Sequence, residues 1–286
     1  MSVGWPNVCT LGGITLDVSD GSSLRAVTGM PGWDDAPAAR TSLQPRMQQD
    51  GAWDAAGFSD ARVVTINGFM REANSAAART VLRQLAALPP QSIQEFVVVN
   101  AAIGTLSVLT RVTVGVKPVW YGDCDFDYSI TITAPDPVKY GARSFATATL
   151  SSATPGAGLI YPLAYLIDYG IPPGVTPGAV RVANAGTTQY WPTLRIDGAT
   201  TNPVATMVET GAWIRYGAVL ASGQWLDIDL ANRRVLLQGQ VSVRHNVTFY
   251  GDWLAVPPGG GSIVWTADVG DPAALLSAWT YEGAWS

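Results

Sequence analysis

The sequence predicts a mostly β protein in two parts, an α+β first half holding one helix and an all-β sandwich after it. Three observations carry this prediction. Residues 126–134 alternate strictly, with Phe126, Tyr128, Ile130, Ile132 and Ala134 on one face and Asp127, Ser129, Thr131 and Thr133 on the other. That is the period of a half-buried strand. Residues 75–88 repeat apolar side chains at helical spacing, through Ala78, Val81, Leu82, Leu85 and Leu88. From residue 178 onward, turn residues interrupt strand-like segments about every 8–12 residues, the rhythm of a sandwich or jelly roll.

The elements follow in order. A short strand at 14–18 leads to a polar, Pro/Gly-rich excursion over residues 29–60, punctuated by Pro31, Gly32, Pro37, Pro45, Gly51 and Gly57. So long a stretch without periodicity is normally functional or disordered. Its aromatic residues Trp33, Trp53 and Phe58 argue against disorder. The stretch is therefore read as a loop or arm that orders against a neighbour, with these three as candidate interface aromatics. Residues 62–70 form a strand. Asn74 or Ser75 offers a cap for the helix, and Pro89-Pro90 ends it. Strands at 95–100, 106–109 and 111–116 precede the alternating strand. One helix among antiparallel strands packs as a split barrel or a small α+β sandwich.

The alternating strand stops at Ala134-Pro-Asp-Pro-Val-Lys-Tyr140. Pro135 and Pro137 remove two backbone donors and bias Ala134 and Asp136 toward extended geometry. The corner is expected to hand the chain from a first domain (1–145) to a second (146–286). The two prolines fix the exit direction, Asp136 caps the turn and Tyr140 anchors the linker. Residues 142–160 are rich in Ser, Thr, Ala and Gly and read as a linker or a loose connecting strand. Strands are then expected at 178–186, 191–198, 204–209, 212–220, 224–230, 235–240, 243–250, 261–267 and 275–285, with a hairpin-like turn at 229–233.

Composition narrows the function. Of 286 residues, 48% are hydrophobic and only 14% charged, against about 25% charged in a typical soluble domain. Large surfaces buried against other chains explain so low a charge; an ordinary Ala/Gly-rich monomer is the alternative. The net charge is −5, Lys117 and Lys139 are the only lysines, and Arg233-Arg234 is the only basic doublet. Tight nucleic-acid binding needs clustered cations and is disfavoured. No apolar run approaches the ~20 residues of a membrane span. Met1-Ser-Val-Gly-Trp-Pro6 lacks the features of a secretory signal, so none is expected.

Little catalytic chemistry is available. His245 is the only histidine, which excludes multi-histidine metal sites. Its strand-like surroundings favour a solvated or hydrogen-bonded side chain over a catalytic base. Cys9 and Cys124 are far apart and read as two reduced thiols rather than a disulfide framework or zinc site. Asp123, Asp125 and Asp127 share a strand face, so a cation site is conceivable beside the simpler solvated face. Asp227 and Asp229 suit hydrogen bonding of turn amides. The eleven tryptophans are expected chiefly in cores and subunit interfaces. No catalytic residue and no cofactor is expected.

Several motifs occur in an order that resembles siphophage distal tail proteins. They are Arg62 through Gly68, the helix at 75–88, Ala134-Pro-Asp-Pro-Val-Lys-Tyr140, Val182-Ala-Asn-Ala-Gly186, Pro192-Thr-Leu-Arg-Ile-Asp-Gly198, Gly223-Gln-Trp-Leu-Asp-Ile-Asp229 and Trp253-Leu-Ala-Val-Pro-Pro-Gly259. The sequence departs from the family pattern in the long 29–60 excursion and in Gly260-Gly261-Ser262, which replaces the usual Asn. The resemblance implies a ring-forming, tail-tube-like split barrel followed by a galectin-like sandwich. It implies a structural virion protein assembled in the host cytoplasm, a homohexameric ring at the distal end of the tail. Such a ring would contact the tail tube protein on one face and hub or tip proteins, with a receptor-binding protein, on the other. DNA would pass through its lumen without specific binding, with Asp123, Asp125 or Asp127 facing that lumen or an inter-ring seam. The alternative is a carbohydrate-binding β-sandwich module used in host adsorption.

Overall fold

Burial alternates along strand Arg62–Arg71 and again along strand Asp125–Ala134, and the two pair in antiparallel register from Arg62↔Ala134 to Arg71↔Asp125. They form the centre of the first of two units. The computed structural model describes residues 7–19, 22–54, 57–100, 104–150 and 178–286. One unit comprises Met1–Ala142 with Trp285–Ser286, the other Arg143–Ala284. Both are mostly β, and a single α-helix occurs among the described residues.

In the first unit the strands lie in the order Ile14–Thr15, Asn7–Leu11, Gln94–Asn100, Gly104–Trp120, Asp125–Ala134, Arg62–Arg71, Leu24–Gly29, Val18–Ser19. The two edge strands are separated in sequence only by Leu16 and Asp17. The sheet must therefore curl back on itself, giving a nearly closed barrel with its seam at residues 14–19. Strand Gly104–Trp120, which the sequence suggested as two, changes partner along its length. It pairs with Gln94–Asn100 first and with Asp125–Ala134 beyond Thr110. Register shifts after Val112 and Val114 mark bulges, and the alternation of buried residues stops there.

Helix Ser75–Ala86 is capped by Asn74, whose Oδ1 accepts from the Ala77 amide at 2.9 Å. Ala78, Val81 and Leu85 are buried in the barrel core, and Leu82 and Leu88 pack against it. Trp285, near the end of the sequence, packs on the same core.

The second unit is a sandwich of antiparallel sheets. One has the order Arg143–Thr149, Leu275–Tyr281, Thr193–Asp197, Trp225–Asp229, Arg234–Leu237, Val241–Ser242. The other has the order Ala179–Val182, Gly261–Thr266, Val204–Met207, Trp213–Tyr216, Val247–Tyr250. Val219–Leu220, Thr200–Thr201 and Val269–Gly270 make a small third sheet. Residues 143–149 are an edge strand paired along their whole length, the connecting-strand alternative rather than the linker, and fully paired rather than loose. Their weak hydrophobic signal reflects an edge whose inward positions are small alanines. Residues 151–177, including the rest of the expected linker, lie outside the described residues. The expected strand at 243–250 is a 3-10 turn, Arg244–Asn246, followed by Val247–Tyr250; His245 is exposed on the turn.

Candidate interaction site: the proline corner and the arm

Arg62 organises the first unit's candidate site. It opens strand Arg62–Arg71 on the parity of Val64, Ile66 and Met70, so the strand's own period turns it inward, and it is 1% exposed. Its guanidinium donates to four carbonyls: Nε to Pro137 at 2.9 Å, and Nη1 to Gly32 at 3.0 Å, Trp33 at 2.9 Å and Asp35 at 2.6 Å. Nη2 is buried without a partner among the described residues. Lys139, also buried, donates to the Trp33 carbonyl at 3.1 Å. One pair of cations thus ties the start of the 29–60 excursion to the proline corner. Burial pushes the Arg62 pKa down, against the pull of Asp34 and Asp35. Burial, then the neighbouring Arg62, pushes Lys139 down, against Asp34. Carbonyl dipoles rather than bonded carboxylates satisfy both, so each cation carries a real desolvation cost.

The corner itself is a side-chain-locked turn. Asp136 Oδ1 accepts from the Val138 amide at 3.1 Å, and Oδ2 from the Tyr140 hydroxyl at 2.6 Å. Pro135 is exposed and Pro137 presents its carbonyl to Arg62.

The excursion has two contrasting parts. At its root, Pro31 accepts from Thr65 N at 3.0 Å, and Trp33 N donates to Met30 at 3.1 Å. Gly32 has φ +91°, and a Cβ there would lie 2.0 Å from the Val63 carbonyl, so no other residue fits. Trp33 is 3% exposed and meets Phe96 edge-on, with ring centroids 5.2 Å apart. This corrects the expectation that Trp33 is an interface aromatic: the root turn folds it into its own core. Farther out, Ala39–Arg40 pairs with Phe58–Ser59, and Leu43–Pro45 with Ala52–Asp54. The excursion is a β-hairpin arm. Among its described residues from 38 to 60, only Ala52 is even half-buried. Trp53 (64%), Phe58 (62%), Leu43 (63%) and Met47 (99%) are exposed. Arg46 stacks on Trp53, 4.7 Å from its ring centroid.

The three acidic candidates separate. Asp125 holds Arg71 through two hydrogen bonds of 3.0 and 2.9 Å, which raise the Arg71 pKa. Asp127 accepts from the Tyr121 hydroxyl at 2.6 Å. Asp123 lines an open cleft of about 350 Å³ with Arg79, Leu82, Arg83, Trp120 and Gly122. No group of three metal-ligating side chains occurs among the described residues. In the sequence Arg62 stands out only as part of a motif, and nothing marks Lys139 as buried. The parity of Arg62 with Val64 and Ile66 was the signal that could have found it.

In the second unit, the motif residues have structural work. Asn184 is buried and fully used: its Nδ2 donates to Thr188 and Val256, and its Oδ1 accepts from the amides of Gly186 and Ala284. A Cβ on Gly186 would collide with the Ala284 carbonyl, 1.8 Å away. Asp229 accepts from the Asn232 amide at 3.0 Å, the expected turn role, but Asp227 instead pairs with Arg195 at 2.7 Å.

Residues 185–280, beginning inside this motif, match the family of siphovirus-type tail components, C-terminal domain. The match covers about a third of the chain, within the second unit. Three solved structures share the fold over 96% of the chain. The crystal structure of SPP1 Dit (gp 19.1), described as a paradigm of the hub adsorption apparatus in Gram-positive infecting phages, superposes with a TM-score of 0.61 at 11% identity and is covered over 98% of its length. The phage P2 baseplate in its activated conformation with Ca contains a chain matching at 0.50, 8% identity and 98% coverage. The corresponding baseplate with Sr gives 0.50, 9% and 97%. No curated protein matches the sequence. Both units are therefore similar in fold to the SPP1 Dit chain.

Proposed function

We propose that this protein is a structural, non-enzymatic hub of a phage tail: a ring of six copies at the distal end of the tail, joining the tail tube protein to hub, tip or receptor-binding proteins. The carrying observation is the arm. It consists of two short two-stranded ladders with Leu43, Met47, Trp53 and Phe58 exposed. An isolated two-stranded hairpin is marginal at best in water, and exposed apolar surface of this kind calls for a covering chain. The match of residues 185–280 to siphovirus-type tail components favours a virion, assembled in the host cytoplasm, as the setting that supplies it.

The barrel supplies joints. Edge strands Ile14–Thr15 and Val18–Ser19 border the seam with backbone groups available for pairing across subunits. A closed ring needs one heterologous interface repeated by rotation. The arm of one copy and a surface of the next provide its two unlike halves. The first unit, Met1–Ala142 with Trp285–Ser286, forms the ring and the second, Arg143–Ala284, the peripheral domain, a boundary three residues earlier than the expected one because Arg143–Phe145 pair in the second unit's sheet; the Pro135–Asp136–Pro137–Tyr140 corner sets the direction of the chain between them. Asp123, Asp125 and Asp127 face the lumen or a seam between rings, and DNA passes through without specific binding, the net charge of −5 giving phosphates little to hold.

Electron microscopy of the purified chain, with labelling of the parent particle by an antibody to it, tests the proposal. Six-fold rings and label at the tail end support it. A persistent monomer whose antibody labels capsid, or no part of the particle, contradicts it. Replacing Pro135 and Pro137 together by alanine should disturb the ring or the domain angle; unchanged rings would count against the corner's role.

A further inference from the structure

The outer face of the sandwich's six-stranded sheet gathers aromatic and charged side chains. Along Thr193–Asp197, Leu194 and Ile196 point into the core while Arg195 and Asp197 point out; along Trp225–Asp229, Trp225 and Asp227 point out. Arg195 faces Asp227 on one neighbouring strand and Ser277 on the other. Its guanidinium is held rather than mobile: Nε and Nη2 donate to Asp227 at 2.7 and 3.4 Å, and its Cζ lies 5.2 Å from the Trp225 ring centroid. Trp225 Nε1 fixes the same carboxylate from the side at 3.1 Å. Asp197, half-buried beside this group, has no hydrogen-bond donor among the described residues. On the other flank, Trp279 packs on Phe145 at 5.1 Å and stays 42% exposed.

We infer that this face is a binding patch for a neutral oligosaccharide. Strands lie about 4.8 Å apart and same-face residues about 6.8 Å apart along each strand, so three strands and three rows cover about 10 by 14 Å. That is the footprint of two sugar rings. Trp279 offers an apolar plane for the C–H face of one ring. Asp197 is an acceptor, and Arg195 a pre-oriented donor edge, for hydroxyl groups beside it. Aromatic planes around a polar, pre-ordered centre match a sugar's apolar faces and polar rim better than they match an apolar protein surface. Charge selects the class further: Arg195 is already neutralised by Asp227 and Asp197 adds a negative charge, so phosphate- or sulfate-bearing polymers are repelled. The inference rests on the sandwich alone and does not depend on ring formation.

The test is an array of neutral glycans (oligomers of hexose, N-acetylhexosamine and deoxyhexose), with teichoic acid as the anionic counter-probe. The best array member is then titrated by tryptophan fluorescence against the full chain. Trp279→Ala and Asp197→Asn should each weaken binding by about tenfold. Tyr250→Ala, on the opposite sheet, should leave it unchanged, with melting temperatures equal throughout. Absence of binding to every neutral glycan, preference for teichoic acid, or binding that survives both substitutions would overturn the inference.

Discussion

The root and the tip of the arm lie within one polar, Pro/Gly-rich stretch, yet they are held by different means. At the root, Gly32, Trp33 and Asp35 give their carbonyls to Arg62, and Trp33 fills the core against Phe96. At the tip, Trp53 and Met47 face solvent, and the only ring contact among the described residues is Arg46 from the same hairpin. The root is specified by the subunit that carries it; the tip has little within that subunit to specify it. Substitutions at the root should therefore act on folding, and substitutions at the tip on assembly.

The largest effect is expected at the root. Arg62→Met removes four donated hydrogen bonds and leaves the carbonyls of two segments facing an apolar side chain. The first unit should lose about 3–5 kcal/mol in urea unfolding. Trp33→Ala should cost a similar amount, about 3–5 kcal/mol, because it empties core volume. If Trp33→Ala were silent in unfolding but blocked assembly, the division between root and tip would be wrong.

A smaller effect is expected at the corner. Asp136→Ala loses one capping and one hydroxyl hydrogen bond on a solvated turn, about 1–2 kcal/mol by the same measurement. The buried side of the comparison should also respond to alkali. Burial, with Asp17 nearby, pushes the Cys9 thiol from 9.0 up to about 12. The unfolded chain then releases this proton first as pH rises. The stabilisation is complete below 9.0 and is lost progressively between that value and about 12. Cys9→Ala should flatten this part of the stability–pH curve, and an unaltered slope would show that another group is responsible. The smallest effect on folding is expected at the tip, where Trp53→Ala should change monomer stability by less than about 0.5 kcal/mol while abolishing or weakening the ring.

Much of this was legible in the sequence where one period held. The alternation of 126–134 gave a strand with its faces assigned correctly, and the stripe from Ala78 to Leu88 gave the helix, overrun by one short turn before Pro89-Pro90. Legibility failed where a strand changed partners. The bulges after Val112 and Val114 broke the period of Gly104–Trp120, so one strand read as two. It failed at edges as well: Ala146 and Ala148 are inward-facing, but alanine carries little hydrophobic signal. Trp33 and Trp53 could not be told apart, because burial of Trp33 depends on Arg62 and Phe96, far along the chain. The Arg195–Asp227 pair was hidden for the same reason, since strand register, not spacing, brings it together.

The most direct measurement is a cryo-EM map of the parent particle at side-chain resolution. The account predicts this chain as a ring at the end of the tail, with Trp53 and Phe58 of each arm buried against the next copy and Trp33 in its own core. A ring in which the arms project into solvent, or the chain placed anywhere other than the tail end, would contradict it.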